Sequence, residues 1–384
     1  MKAANIPVPA WVEEMQSAGA SAFYQTQDGT HQVYLPGKGY LPLTEPSDVI
    51  SLPNIKKEPK RTIRTRKEAA LLDLGDGVAL YEFRSKANTL SMDVVSGIFE
   101  AIDYVEQHDY RGLVIGNEGK NFSAGANLAE VAGAIAEGKF ELLDQAARRF
   151  QEMIMRIYYA RKPVVAALQG MTLGGACELA MHCARVVAAL ETYIGLVEVG
   201  AGVIPAGCGS TFMAARAAEK AASQSPAQIQ PFLFKSFETL ATAKAATSAF
   251  EGVELGFLRD DAVVVMNAER RFFVAKQEVI RLSEEGYLPP PERTAIRVLG
   301  KPAWAALESA AYQMQQAGYA TEYDRFLAGR LAYVMTGGEL TAPASVHESY
   351  LLDLEREVFL ALLKEKKTQE RIHSIITTNK PLRN

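Results

Sequence analysis

The chain has 384 residues, of which 48% are hydrophobic and 22% are charged, and its formal net charge is −4 at pH 7. This length and composition are those of a globular protein with one large domain and extensions, or with two domains. A net charge this small excludes a whole-molecule field that would draw the protein to nucleic acid or to an anionic membrane. We therefore expect no nucleic-acid partner and look for function in local features.

The three cysteines, Cys177, Cys183 and Cys208, form a sparse and odd set. They lack the paired spacing of a zinc site or a disulfide framework, so free thiols in a cytoplasmic protein are expected. The longest apolar run, residues 163–181, is interrupted by a glutamine and a glutamate. No membrane span is predicted from it.

The first 68 residues differ in character from the rest of the chain. They are rich in Pro and Gly and end in the basic run KKEPKRTIRTRK (56–67). Such a run is typical of a solvated linker, and we predict that here. The alternative interpretation is a basic lip that attracts the phosphates of a ligand such as coenzyme A.

From residue 69 onward strands and helices alternate, which predicts an α/β core with buried, largely parallel strands. The helix that Ser91 can cap carries apolar residues along one face at helical spacing. In chain order the predicted elements are a strand at 78–83, the helix after Ser91, a strand at 112–116, a helix at 141–160, and strands at 163–168, 185–190 and 193–196.

After about residue 212 the chain becomes alanine-rich and helical in pattern, with a break at LPPPE (288–292). Further apolar stripes in the last hundred residues predict one more helical layer. The sequence thus divides into an amino-terminal segment (1–68), a core (69–262) and a C-terminal helical extension (263–384).

Two glycine-containing loops, SAGAN (123–127) and LGGAC (173–177), each follow a predicted buried strand. Small residues before a helix leave unpaired N–H groups facing outward. If two such groups converge on one carbonyl oxygen, they form an oxyanion hole, which stabilises negative charge as it develops. The alternative for each loop alone is tight packing without function.

Two glutamates favour the functional interpretation. Glu178 lies in an apolar helix just after the second loop, and Glu198 lies between a strand and another Gly/Pro loop. Either one alone could face solvent or pair with a base such as Arg185. Both together, next to two candidate oxyanion loops, predict a general acid and base pair.

Four segments in combination resemble the crotonase (enoyl-CoA hydratase/isomerase) superfamily: SKANTL (85–90), NFSAGANL (121–128), GMTLGGACELAM (170–181) and EVGAGVIPAGCGS (198–210). The resemblance implies a crotonase-like (ClpP/crotonase) α/β spiral of ββα units. The chain further resembles the C-terminal hydratase half of bacterial proteins in which a 3-hydroxyacyl-CoA dehydrogenase precedes the hydratase. Three segments carry this resemblance: GYLPPPE, DRFLAGRLAYVMTGGEL and KTQERIHSIITTNKPLRN. On this resemblance, residues 1–68 are the remnant and linker of a dehydrogenase-type region that is otherwise missing from the chain.

The resemblance also implies roles for individual residues. The backbone N–H groups of Ala126 and Gly175 correspond to the family's oxyanion donors, and Glu178 and Glu198 to its acid/base pair. Positions matching the family's substrate and CoA contacts are Lys86, Ala87, Ala124, Gly125, Asn127, Leu128 and Gly174. Asn127 stands where aspartate is common, but it can still cap the following helix.

The implied reaction is hydration of a 2-enoyl-CoA in fatty-acid β-oxidation. Glu178 would activate water and Glu198 would protonate carbon, with coenzyme A entering as part of the substrate and no metal or redox cofactor required. Two alternatives stay open. One is a Δ3,Δ2-enoyl-CoA isomerase, which would use the carboxylate at Glu198 alone, and the other is a non-catalytic acyl-CoA-binding module.

Other activities and assemblies can be weighed too. No GxGxxG follows a predicted strand, so hydride transfer in this chain is disfavoured. His182 beside Cys183 suggests a metal or nucleophile site, but no third ligand or partner is evident and ordinary packing is predicted. The resemblance implies a homo-oligomer, a trimer or a dimer of trimers.

Overall fold

The computed structural model describes residues 7–27, 30–43 and 46–384; of the predicted amino-terminal segment, residues 1–6, 28–29 and 44–45 lie outside the described residues. The strands within these ranges are β1 (Tyr24–Gln27), β2 (Thr30–Leu35), β3 (Gly39–Pro42), β4 (Thr62–Thr65), β5 (Ala69–Asp73), β6 (Val78–Phe83), β7 (Gly112–Gly116), β8 (Val164–Leu173), β9 (Arg185–Gly195), β10 (Val263–Val265), β11 (Ile296–Val298) and β12 (Ala344–Val346). The helices are α1 (Ala10–Ser17), α2 (Leu52–Lys56), α3 (Met92–Gln107), α4 (Leu128–Ala136), α5 (Phe140–Tyr158), α6 (Gly175–His182), α7 (Gly209–Lys220), α8 (Pro226–Ala241), α9 (Ala249–Glu254), α10 (Arg271–Glu284), α11 (Gly300–Gln316), α12 (Glu322–Thr336), α13 (Glu348–Leu363) and α14 (Lys366–Thr378).

A seven-stranded sheet in the order β10-β9-β8-β7-β6-β5-β4 forms the centre of the fold. Its neighbours from β6 to β10 are parallel, and β4 and β5 join it as antiparallel strands at one edge. The prediction of a largely parallel α/β core is therefore confirmed. Strand β6 shows why the central strands are mostly apolar: Ala79 and Tyr81 face one hydrophobic cluster, and Val78 and Leu80 face another. Each face of the sheet is covered there, so both faces of the strand are largely apolar; Glu82, the charged residue of β6, is paired with Lys56.

The register between β8 and β9 shifts near Leu168 and Gly170, after which the two strands pair again up to Leu173 and Gly195. Through this extension the third predicted strand runs directly into the second glycine loop, and the two predicted strands at 185–190 and 193–196 form one continuous β9. The first loop joins these strand ends, because Ser123 forms a β-bridge with Thr172. The paired ends of β8 and β9 beyond the register shift therefore bring the two loops together.

The helix predicted after Ser91 is α3, and the Ser91 side chain accepts a hydrogen bond from the Val94 amide at its N-terminus. The buried residues of α3 lie along the predicted face, where apolar burial contributes about 1.5–3 kcal/mol per large side chain. The helical pattern predicted after residue 212 corresponds to α7, α8 and α9, and the segment around 288–292 breaks the helices as predicted.

The prediction that residues 56–67 form a solvated linker is wrong in one part: most of the run is exposed, as predicted, but it belongs to the fold and is not a linker. The run contains the end of α2, a 3-10 turn at Pro59–Arg61 and all of β4. Arg66 forms ion pairs with Asp93 and Glu100 of α3, at 2.8 and 2.6 Å. The two acidic partners of Arg66 are distant in sequence, so these ion pairs form only when the chain is folded.

The C-terminal helices do not form a separate body. α13 packs on α5 and α7, and α14 packs on α4 and on the turn after β9. The central sheet draws on all three predicted segments, because β4 and β10 belong to it. The division at 68 and 262 and the predicted homo-oligomer stay predictions. No helix in the described ranges has the length and apolar content that crossing a membrane requires.

Candidate active site

Glu178 lies in the first turn of α6, directly behind Gly174, whose φ of 56° requires a residue without a side chain. Only 3% of Glu178 is exposed. Its Oε1 accepts hydrogen bonds from the amides of Gly207 and Gly209, each at 2.8 Å. The cost of burying this carboxyl is thus offset by two backbone donors and not by a cation.

Both donors must be glycines. A Cβ atom at position 207 would lie 2.4 Å from Oε2 of Glu178, and one at position 209 would lie 2.7 Å from its Oε1. Any side chain there would push the carboxyl away from the amides. Arg185, the alternative partner for Glu178, pairs with Asp261 instead.

Glu198 begins a 3-10 turn, Glu198–Ala201, just after β9. Its Oε2 is shielded from solvent and has no hydrogen-bond partner within the described ranges. A Cβ atom on Gly174 would lie 3.2 Å from its Oε1. The side chain therefore lies against the start of the motif that carries Glu178, as the predicted acid/base pair requires.

The two carboxyls have different electrostatic environments. Burial raises the pKa of Glu178 to about 7, and the amides of Gly209 and Gly207 oppose that rise. Burial and then the negative charge of Glu178 raise the pKa of Glu198 well above its usual range. The two amide donors favour the charged form of Glu178, whereas the shielded Oε2 of Glu198 has no donor among the described residues, so we expect Glu178 to ionise first within a coupled pair.

The two predicted oxyanion donors lie on adjacent loops. Within the described part of the chain, neither the Ala126 nor the Gly175 amide donates to a protein acceptor. A Cβ atom at Gly125, where φ is 91°, would lie 3.3 Å from the Gly175 amide nitrogen. Only glycine at this position leaves that amide uncovered.

The segment that resembles the CoA contact is attached to the first loop. Lys86 and Ala87 are exposed in a short 3-10 turn, and the Leu90 amide donates to the Gly125 carbonyl at 2.9 Å. Asn127 caps α4, as predicted, by accepting from the Ala129 amide. The other predicted contacts lie along the same loops: Ala124 is exposed, Leu128 is half-buried and Gly174 is buried.

Sequence reasoning missed Glu355, on α13 of the C-terminal extension. It is fully buried, and it accepts hydrogen bonds from the amides of Cys208 (3.0 Å) and Thr211 (2.5 Å). The helical periodicity of α13 was a signal for this residue. Position 355 lies at helical spacing from Leu351 and Val358 and therefore on the apolar face of the helix.

A second missed contact supports Glu198. Arg371 of α14, only 1% exposed, donates to the carbonyl of Val199, and Thr368 donates to that of Gly202. Arg371 also pairs with Asp324 of α12 at 2.8 Å. Side chains of α14, in the C-terminal extension, therefore hydrogen-bond to the backbone of the 3-10 turn that carries Glu198 and of the residue after it.

A cavity of about 860 Å³ is a groove between α8, α11 and the chain end. The groove is lined by Val199 and Gly200, among others, but by neither Glu178 nor Glu198. Next to Glu178 the space is taken by Phe150 of α5, whose ring atom Cζ lies 2.9 Å from where a Gly175 Cβ would be.

His182 and the three cysteines lie in the packed interior. His182 is 1% exposed, and its Nδ1 lies 2.7 Å from the Glu178 carbonyl, so the prediction of ordinary packing is confirmed. The three cysteines are buried and free. Among the described residues no group of three or more His, Cys, Asp or Glu side chains could hold a metal ion.

The raised pKa values predict how stability depends on pH. A buried carboxyl binds its proton more tightly in the native state, so the free energy of unfolding falls as pH rises from about 4.3 through the folded pKa, about 7 for Glu178 and about 8 for Glu355. His182, with its pKa lowered to about 3 by burial, has the opposite effect, which is complete by about pH 6.5.

Between pH 6.5 and 8 we therefore expect the free energy of unfolding to fall by about 1 kcal/mol per pH unit or more. Urea unfolding at several pH values in this window measures it. The control is Glu357→Gln on the exposed side of α13, which should keep the slope. Constant or rising stability over this range would contradict the assigned protonation states.

The sequence model of the enoyl-CoA hydratase/isomerase family matches residues 74–228. A probable 3-hydroxyacyl-CoA dehydrogenase of Bacillus subtilis (strain 168) is 40% identical over 377 residues, which are 98% of this chain and 47% of that protein. A crotonyl-CoA hydratase of Syntrophomonas wolfei is 38% identical over 137 residues, 34% of this chain and 50% of that protein. The chain thus spans about half the length of the Bacillus relative.

Solved structures share the fold. An enoyl-CoA hydratase from Bacillus halodurans matches with a TM-score of 0.52 and 15% identity, covering 80% of this chain and all of that one (100%). An enoyl-CoA hydratase/isomerase from Xanthobacter autotrophicus Py2 matches with a TM-score of 0.50 and 17% identity, covering 82% and 94% of the two chains. The predicted crotonase-like fold with a C-terminal helical region is thereby confirmed, and the chain belongs to the crotonase (enoyl-CoA hydratase/isomerase) superfamily.

Proposed function

We propose that this protein is an enoyl-CoA hydratase of fatty-acid β-oxidation, which adds water across the double bond of a 2-enoyl-CoA. The observation that carries the proposal is the unequal environment of two neighbouring carboxyls. Glu178 is held by two amides and ionises first, and Glu198 stays protonated beside it. A base and an acid are what hydration needs at the same moment.

Adding water at the β-carbon of a thioester builds enolate character on the thioester oxygen. We place that oxygen between the amides of Ala126 and Gly175, which have no other acceptor in the described parts of the protein. Preorganised donors of this kind lower such a barrier by about 3 kcal/mol each.

The proton steps balance between the two glutamates. Ionised Glu178 takes a proton from water as its oxygen bonds to the β-carbon, and the electron pair of the double bond moves toward the carbonyl. Protonated Glu198 then gives its proton to the α-carbon, and the 3-hydroxyacyl-CoA leaves. Exchange with solvent returns the pair to its starting state, and each positioned group contributes about 10²- to 10⁴-fold.

Coenzyme A would lie along the exposed edge formed by Lys86, Ala87 and the first loop. The product of hydration, a 3-hydroxyacyl-CoA, is what the longer Bacillus relative, by its name, oxidises. This supports the proposal that the chain works beside a dehydrogenase region. Its localisation in the cytoplasm remains part of the same proposal.

An isomerase would need Glu198 to act as a base. The raised pKa of Glu198, caused by burial and by the charge of Glu178, disfavours that role near neutral pH. A binding module without catalysis would have no need for two neighbouring carboxyls in unequal environments, one held by two amides and the other with a shielded oxygen that has no partner among the described residues. An assay with crotonyl-CoA distinguishes both alternatives from the hydratase.

Crotonyl-CoA hydration by the purified protein tests the proposal through loss of the conjugated enoyl absorbance. We expect turnover at neutral pH and formation of 3-hydroxybutyryl-CoA. Conversion of a 3-enoyl-CoA to the conjugated isomer, without hydration, would establish the isomerase instead. Acyl-CoA binding with neither reaction would leave only the binding module.

A further inference from the structure

The loop that opens α7 is held by two carboxyls from different parts of the fold. The amides of Gly207 and Gly209 donate to Glu178, and those of Cys208 and Thr211 donate to Glu355. The two sets alternate along the chain. Neither carboxyl can shift without moving backbone that the other one binds.

The backbone between them is left-handed at Cys208, where φ is 82°. This conformation is costly for a residue with a side chain, and it persists only where the surroundings impose it. The left-handed residue gives neighbouring amides different directions, as in other anion-binding backbone nests. Glu355 binds the Cys208 amide itself, so it stabilises the conformation on which the Glu178 contacts depend.

Glu355 lies in a buried acidic region. Among the described residues no positively charged side chain forms an ion pair with it. Burial and then the charge of Glu178 raise the pKa of Glu355 to about 8, and the charge of Glu355 adds to the rise at Glu198. The titratable and charged groups around it, from its own helix and the elements packed on it, are Glu178, Glu198, Cys208, Glu348, and Arg356 with its partner Asp144.

We propose that Glu355 is a positioning residue for the hydration reaction: from the C-terminal extension, it fixes the loop that holds Glu178. The inference rests on the proposed function, which it deepens. Glu355 acts only through backbone amides and electrostatics, without contact to the reacting atoms.

The consequence is a specific effect on the pH profile. As pH rises above about 8, Glu355 becomes charged and opposes the loss of the Glu198 proton. Activity is then retained to higher pH. A residue that only stabilised the fold would change the amount of active enzyme and leave the two limbs of the profile where they are.

The test is the pH dependence of kcat/KM for crotonyl-CoA hydration in wild type, Glu355→Gln and Glu355→Asp. In Glu355→Gln we expect the alkaline limb to move down by about 1 pH unit, the order expected on removing one nearby buried charge. Glu355→Asp keeps the charge and should return the limb toward the wild-type position, with a lower kcat because the shorter side chain reaches the amides less well. Unmoved limbs in Glu355→Gln would overturn the inference.

Glu357→Gln is the matched control, since it makes the same chemical change on the exposed face of the same helix. Its limbs should coincide with those of wild type. A shift equal to that of Glu355→Gln would mean that any charge on α13 suffices and would overturn the role assigned to Glu355.

A second measurement needs neither turnover nor a folded Glu355 variant. In wild-type protein with ¹³C-labelled glutamate carboxyls, the Glu178 signal is identified by its loss in Glu178→Gln. Besides the steps from its own ionisation and from its coupling to Glu198, it should show a step near pH 8 as Glu355 ionises. Absence of the step near pH 8 would overturn the inference, whereas its presence without hydratase activity would refute the proposed function alone.

Discussion

Glu178→Gln is expected to lower kcat for crotonyl-CoA hydration by about 10²- to 10⁴-fold, the contribution of one positioned base. The fold should be retained, because both amide contacts of Glu178 reach the same oxygen, Oε1. The glutamine carbonyl can accept both hydrogen bonds, and its NH₂ group replaces Oε2. The dissociation constant of butyryl-CoA, measured by calorimetry, should change by less than about threefold because no binding contact is removed.

The matched control for this variant is Glu191→Gln, which makes the same change at an exposed position of β9. It should hydrate crotonyl-CoA at the wild-type rate. Wild-type turnover in Glu178→Gln would remove Glu178 from the mechanism. Loss of butyryl-CoA binding together with turnover would assign it to binding instead of to water activation.

Glu198→Gln is expected to cause a loss of similar size, about 10²- to 10⁴-fold in kcat, for a different reason. Its Oε2 has no hydrogen-bond partner in the described structure, so an amide group fits there without breaking a protein contact. What is lost is the proton for the α-carbon. Exchange of the α-hydrogen of butyryl-CoA with D₂O, followed by NMR, separates this role from that of Glu178.

In Glu178→Gln the charge that raises the pKa of Glu198 is gone, so Glu198 can ionise more readily and remove an α-hydrogen by itself. Glu198→Gln should therefore lose both hydration and α-hydrogen exchange, whereas Glu178→Gln should lose hydration and keep exchange. The reverse pattern would exchange the acid and base roles of the two residues. Full hydration by Glu198→Gln would contradict the two-carboxylate mechanism altogether.

The core elements could be predicted because their signals are local. The apolar strand at 78–83 and the helix behind the Ser91 cap are recognisable from periodicity and capping within about a dozen residues. Both glutamates and both loops lie in short motifs, so their positions along the chain are evident. Their proximity is predicted by resemblance to a family and not by periodicity.

The basic run at 56–67 shows where such reasoning stops. Nothing nearby in the sequence neutralises it, which favours a solvated run, but Arg66 finds Asp93 and Glu100, 27 and 34 residues away. The same limit hid Glu355, whose amide partners are 147 and 144 residues away, and Arg371, which is 172 residues from Val199. Composition and spacing carry no information about pairs this distant.

The amino-acid sequence therefore specifies the chemical groups: apolar strands, glycines where backbone must approach closely, and two carboxyls in apolar surroundings. Which of these groups share one environment, and in what order they ionise, depends on the folded arrangement. The physical reason is that a pKa depends on burial and on neighbouring charge. Both arise when α13 and α14 close over the loops that carry Glu178 and Glu198, and neither exists in the extended chain.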